Sequence, residues 1–119
     1  MTAPEAIWRE ALGEGRLILQ RSRASGDRFF PPRLAEPATG DKDWEWVDAI
    51  GLGTVYSVTV IHPKPPEPAY NVVLVDLDEG PRLMSRVDGI DPAAIHIGDR
   101  VRARIEGAGA DALLLFEPA

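Results

Sequence analysis

Residues 20–41, QRSRASGDRFFPPRLAEPATGD, carry two short glycine-closed turns, Ser22-x-x-Ser25-Gly26 and Glu36-x-x-Thr39-Gly40, separated by an apolar, turn-rich segment. With cysteine at Ser22, Ser25, Glu36 and Thr39 such a frame would hold a zinc ion between two knuckles. The chain has no cysteine. Zinc takes four ligands from thiolate, imidazole or carboxylate, and of these four side chains only Glu36 qualifies. The expectation is therefore that no zinc and no other cofactor is bound. The hydroxyls of Ser22, Ser25 and Thr39 are expected instead to accept from the turn amides that thiolates would otherwise bind.

Other candidates for chemistry reduce to ordinary roles. His62 and His96 are the only imidazoles, and neither has a nucleophile or a clear carboxylate at motif spacing. Asp76, Asp78 and Glu79 cluster, but Asp76 and Asp78 alternate with Val75 and Leu77, the pattern of a strand with one wet face entering an acidic turn. Gly51-Leu52-Gly53-Thr54 precedes a strand, whereas a dinucleotide fingerprint follows a strand and opens a helix. Glycine here serves to bend the chain into that strand. No catalytic residue is assigned, and the chain is not expected to be an enzyme.

Charge is unevenly spread. Arg16, Arg21, Arg23, Arg28 and Arg33 crowd residues 16–34 against the single acid Asp27, while residues 35–119 hold 15 acids against 7 bases, within a net charge of -6. A platform that grips nucleic acid needs positive charge on its main surface, which the C-terminal part lacks. Basic residues beside Phe29, Phe30 and Pro31 instead suit a local phosphate or a partner. The candidates for phosphate or partner contact are thus Arg21, Arg23, Arg28, Phe29, Phe30 and Arg33. No apolar run approaches the ~20 residues of a membrane span, and the N-terminus lacks a signal-peptide pattern, so the expectation is a cytoplasmic protein without membrane association.

These residues need elements to position them. TAPEAIWREALGEG places Thr2 and Glu5 at capping-box spacing and Ile7, Trp8, Ala11 and Leu12 on one helical face. So short a helix is marginal alone, so Ile7, Trp8 and Leu12 either pack on their own domain or dock onto a partner subunit. RLILQR, RFFPP and DWEWV read as the strands of a small hairpin module, residues 1–47 with the helix. Residues 48–119 carry five short β runs with a helical turn after Asp91-Pro92, between the third and fourth runs. That order predicts a five-stranded OB-fold barrel; a five-stranded SH3-like barrel lacks the helix at that place. The fold class is mainly β: helix, degenerate metal-free rubredoxin-like ribbon, then barrel.

The succession EAIWREALGEGRLILQRSRASG, RFFPPRLAEPATG, WEWVDAIGLGTVYSVTVIH, VVLVDLDEGPRLMSRV and IHIGDRVRARIE with a terminal FEP resembles the zinc-ribbon OB-fold proteins that associate with acyl-CoA enzymes. The likeness covers nearly the whole chain in order. In that family four cysteines bind zinc, and carried over they fall on Ser22, Ser25, Glu36 and Thr39, all replaced here. The resemblance implies a helix and ribbon that contact a thiolase-like or lipid-transfer-protein-like enzyme, and a barrel that helps bind or shield the acyl-CoA. A structural zinc contributes ~10 kcal/mol or more to folding, so its loss must be offset. Packing of Phe29, Phe30, Trp44 and Trp46 on the barrel, with the turn hydrogen bonds, is the expected source. The leading function is a non-catalytic accessory subunit in a hetero-oligomer. The alternative is a single-stranded nucleic-acid-binding OB-fold protein, for which the barrel offers only Tyr56, Tyr70 and Phe116, the first and last expected to face the core.

Overall fold

The structure, a computed structural model, describes residues 3–119; the capping role read for Thr2 lies outside the described residues. The chain divides into two compact units, one of residues 1–50, 79–81 and 105–113, the other of residues 51–78, 82–104 and 114–119. Among the described residues no helix is long and apolar enough to cross a membrane.

The first unit opens with helix α1, Pro4–Gly13, whose Pro4 stands at the first turn, where its missing N–H is not needed. Trp8, Ala11 and Leu12 are buried on one stripe. The helix end lies against a 3-10 turn at Gly109–Asp111 that the sequence pattern did not reveal. Gly13 is required there, because a Cβ would come within 2.8 Å of the Gly109 carbonyl oxygen. Three strands follow: β1 (Ile18–Ser22), β2 (Arg28–Phe29) and β3 (Trp44–Asp48). β1 lies between the other two, antiparallel to both, so Ile18, Leu19, Gln20 and Ser22 are all buried.

The second unit is built on β4 (Leu52–Ile61), β5 (Tyr70–Leu77), β6 (Arg82–Ser85), β7 (Arg100–Glu106) and β8 (Leu113–Pro118), in the sheet order β6-β5-β4-β7-β8. The two outer strands are joined by a parallel bridge between Val87 and Phe116, with Asp88 N–H donating to the Phe116 carbonyl and Phe116 N–H to the Arg86 carbonyl, both at 2.9 Å. This bridge, just past the end of β6, closes the sheet into a barrel. A 3-10 turn at Pro92–Ala94 sits between β6 and β7, with Asp91 Oδ1 accepting from Ala93 N–H at 3.0 Å. This is the OB order with its helical turn in the expected place. Val55, Val73, Val75, Val101 and Phe116 form the interior. Gly53 is fixed by packing, since a Cβ would lie 2.7 Å from the Asp76 carbonyl oxygen.

Candidate functional site

The two turns of the ribbon are bonded alike. In the first, Ser22 N–H donates to the Asp27 carbonyl at 2.9 Å and Gly26 N–H to the Ser22 carbonyl at 2.8 Å. In the second, Glu36 N–H donates to the Asp41 carbonyl and Gly40 N–H to the Glu36 carbonyl, each at 2.7 Å. Gly26 and Gly40 close them at φ +80° and +74°, values that disfavour any residue with a Cβ. The side chains match as well. Ser25 N–H donates to Ser22 Oγ at 3.3 Å and Asp27 N–H to Ser25 Oγ at 3.2 Å. Thr39 N–H donates to Glu36 Oε2 at 2.8 Å and Asp41 N–H to Thr39 Oγ1 at 3.2 Å.

Each of the four side-chain positions therefore accepts from the amide that a knuckle thiolate would accept from. Glu36 goes further, since its Oε1 accepts from Ala38 N–H at 2.9 Å and its Oε2 also accepts from Thr39 Oγ1 at 2.7 Å. The Ala38 amide first, then the Thr39 hydroxyl, holds the Glu36 carboxyl below its ordinary range. These side chains do not fit a zinc ion: three are neutral hydroxyls and the one carboxylate already has both oxygens engaged. The sequence reading gave the hydroxyls this role but missed Glu36, whose carboxylate makes the most bonds.

The basic candidates are spread differently from one another. Arg23 donates to Asp43 at 2.7 Å and to Glu45 at 3.2 Å, and Arg21 reaches Glu45 at 3.5 Å. Contacts among those charges raise the Arg23 guanidinium further, through Asp43 first. Arg33 is exposed, and its backbone is gripped by the buried Gln20 amide, with Arg33 N–H donating to Gln20 Oε1 at 2.8 Å and Gln20 Nε2 donating to the Arg33 carbonyl. Gln20 was not singled out from sequence; a polar residue in an otherwise apolar strand was the available signal.

The aromatic candidates pack within the first unit. Trp8 meets Phe30 at 5.4 Å, Phe29 meets Trp44 edge-on at 6.5 Å, and Trp44 meets Trp46 edge-on at 5.4 Å. Such pairs add stability beyond burial alone. Of the helix residues read for docking, Trp8 and Leu12 are buried and Ile7 is half-buried. The helix surface open to a partner is thus Glu5, Ala6, Arg9 and Glu10, flanked by Ile7. Trp8, Phe30, Pro31 and Pro32 line a shallow cleft with Glu5 and Arg9.

On the barrel, the acidic cluster resolves into separate contacts. Arg82 donates to Asp76 at 2.6 Å, Arg100 donates to both oxygens of Asp78 at 2.7 Å, and Glu79 caps Ile50 N–H at 2.7 Å. His96 does have a carboxylate nearby, Asp99 at 3.9 Å, but both side chains are wet. One expectation is corrected. Tyr56 faces outward, 51% exposed beneath the Arg82 guanidinium at 3.5 Å, because it alternates with the buried Gly53 and Val55; the pairing register shifts between Val55 and Ser57. Phe116 is fully buried, as read.

A helix, a three-stranded ribbon with two matched turns and a closed five-stranded barrel define a ribbon-plus-OB-barrel protein. A family model described as the ChsH2 C-terminal OB-fold domain matches residues 46–106. The chain belongs to that family, the DUF35 proteins. It is similar along 99% of its length to 96% of a solved chain, the Ltp2-ChsH2(DUF35) aldolase, with 38% identity and a TM-score of 0.83. It is 44% identical over 97 residues to a probable enoyl-CoA hydratase alpha subunit of Thermomonospora curvata, covering 78% of this chain but only 30% of that subunit. A DUF35 domain-containing scaffold protein of Methanothermobacter thermautotrophicus is 29% identical, with 98% of this chain and 93% of that protein covered. The relatives thus include named scaffolds and subunits of acyl-CoA-related enzymes.

Proposed function

We propose that this chain is a non-catalytic accessory subunit that assembles with an acyl-CoA-dependent enzyme of thiolase-like or lipid-transfer-protein-like type, and helps bind or shield the acyl-CoA. The near end-to-end likeness to the Ltp2-ChsH2(DUF35) aldolase carries this reading. It is supported by the side chains themselves. Asp76 of β5 and Asp78 just beyond it are occupied by arginines, and His96 faces the Asp99 carboxylate at 3.9 Å. In this reading the ribbon works without zinc, its turns held by Ser22, Ser25, Glu36 and Thr39.

The test is co-expression of the tagged chain with thiolase-like and lipid-transfer-protein-like enzymes of the same organism. Co-elution through gel filtration is expected, and Ile7→Asp, at the edge of the open helix face, is expected to weaken it. A partner that never co-elutes contradicts the reading, and an unaffected Ile7→Asp complex removes the helix from the interface. Turnover of CoA esters by the isolated chain would also overturn it.

A second reading, single-strand nucleic-acid binding, gains one observation: Tyr56 and Tyr70 are both exposed. Fluorescence anisotropy with labelled oligonucleotides at low salt decides it, and no shift is expected.

A further inference from the structure

Register brings two like charges face to face on the ribbon. Arg21 on β1 stands opposite Arg28 on β2 and opposite Glu45 on β3, so one face of the sheet carries the row Arg28, Arg21, Glu45. Like charges directly opposite in an antiparallel pair repel. A carboxylate for each would relieve this, yet Glu45 alone serves, at 3.5 Å from Arg21 and shared with Arg23 at 3.2 Å. Arg28 has no ion-pair partner among the described residues.

Both guanidiniums also bury a donor in vain. The Nε atoms of Arg21 and Arg28 are shielded from solvent and have no acceptor. A buried N–H without a partner bears its full desolvation cost. The shielded Nε atoms are out of a ligand's reach, but repelling neighbours of which Arg28 has no counter-ion are an arrangement that an oxyanion on their outer guanidinium nitrogens would relieve.

We propose that Arg21 and Arg28 form a clasp for a phosphomonoester, that of the 3′-phosphate of CoA. This rests on the acyl-CoA reading above, and CoA is the ligand class in the names of the hydratase relatives. A phosphomonoester brings a charge of about -1.5 to -2 and three strong acceptor oxygens, which matches two cations and several N–H groups. A carboxylate brings one charge, and Glu45 already supplies one. Planar guanidinium forks suit bidentate contact with phosphate oxygens, which a lysine cannot reproduce.

Calorimetric titration of the full chain with CoA and with 3′-dephospho-CoA tests the clasp. Removal of the 3′-phosphate is expected to weaken binding about tenfold, the size of a lost charge-assisted hydrogen bond. Arg28→Gln is expected to weaken CoA to the same degree and to leave dephospho-CoA unchanged. Arg28→Lys, which keeps the charge and guards against a folding defect, is expected to fall between. The clasp is overturned if the wild-type chain binds neither ligand, or binds both alike, or if Arg28→Gln weakens both equally. It is also overturned if Arg28→Gln releases the partner enzyme while CoA binding is unchanged, which would assign the pair to a partner carboxylate. If the variant still co-elutes with the enzyme but phosphate selectivity is absent from the wild type, the clasp fails and the accessory reading stands.

Discussion

The ribbon and the barrel use one device in common and differ in another. In each, a fully buried amide takes both backbone groups of a residue outside the regular ladder: Gln20 holds Arg33, and Asn71 holds Val87, accepting from its N–H at 2.8 Å and donating to its carbonyl at 3.2 Å. The barrel adds to this an interior of Val55, Val73, Val75, Val101 and Phe116, closed by the Val87–Phe116 bridge. The first unit has its own buried cluster, Leu12, Leu17, Ile18, Leu19 and Phe29 among it. What it adds are aromatic edges and two turns closed by polar side chains. In both turns the oxygens of Ser22, Ser25, Glu36 and Thr39 take the backbone amides.

The largest expected effect lies in the barrel. Phe116→Ala removes a fully buried ring and the packing around the bridge, and a loss of about 3–5 kcal/mol is expected in denaturant unfolding. A loss below 1 kcal/mol would mean the barrel is not the stable half. Next come the paired amides. Asn71→Ala and Gln20→Ala each orphan a backbone N–H and carbonyl, at about 1–3 kcal/mol. The comparison is sharpened by where the loss appears: hydrogen exchange is expected to rise across the barrel for Asn71→Ala and in the ribbon alone for Gln20→Ala. Equal spreading of both would deny the two units separate cores.

Smaller is the acid response of the second turn. The Glu36 carboxyl is depressed in the fold by Ala38 N–H and then by the Thr39 hydroxyl. Its contribution is therefore complete above the unfolded value of about 4.3 and is lost as pH falls through the lower folded value. Exchange at Ala38 and Thr39 is expected to accelerate below about pH 4, and Glu36→Gln to produce that acceleration at neutral pH. Asp78, lowered by Arg100, has the same sign. That pair is half-exposed, so Arg100→Gln is expected to give the smallest change of the series, further muted by salt.

Much of this was legible in the chain. β-branched alternation in TVYSVTVIH and NVVLVDLD marked the long barrel strands, and Asp91-Pro92 marked the helical turn that distinguishes the topology. The spacing of Ser22, Ser25, Glu36 and Thr39 marked both turns of the ribbon. What escaped depended on contacts distant in sequence. The register shift between Val55 and Ser57 carries no sign in the sequence, although alternation with Val55 already sets Tyr56 on the outer face. The turn at Gly109–Asp111 is stabilised against α1, nearly a hundred residues earlier, and looks like an ordinary loop on its own. The burial of Trp8 and Leu12 was one of two readings of an amphipathic helix, and only the tertiary partner, Phe30 for Trp8, distinguishes them.

The central claim, that hydroxyl and carboxylate oxygens close the two turns of the ribbon without a metal, is tested most directly by residue-resolved hydrogen exchange at Ser25, Asp27, Thr39 and Asp41. The chain should be purified from zinc-supplemented medium and measured with and without chelator. Equal protection of the four amides in both samples is the predicted result, with the native mass equal to that of the polypeptide alone. A one-to-one zinc adduct whose removal exposes those amides would contradict it.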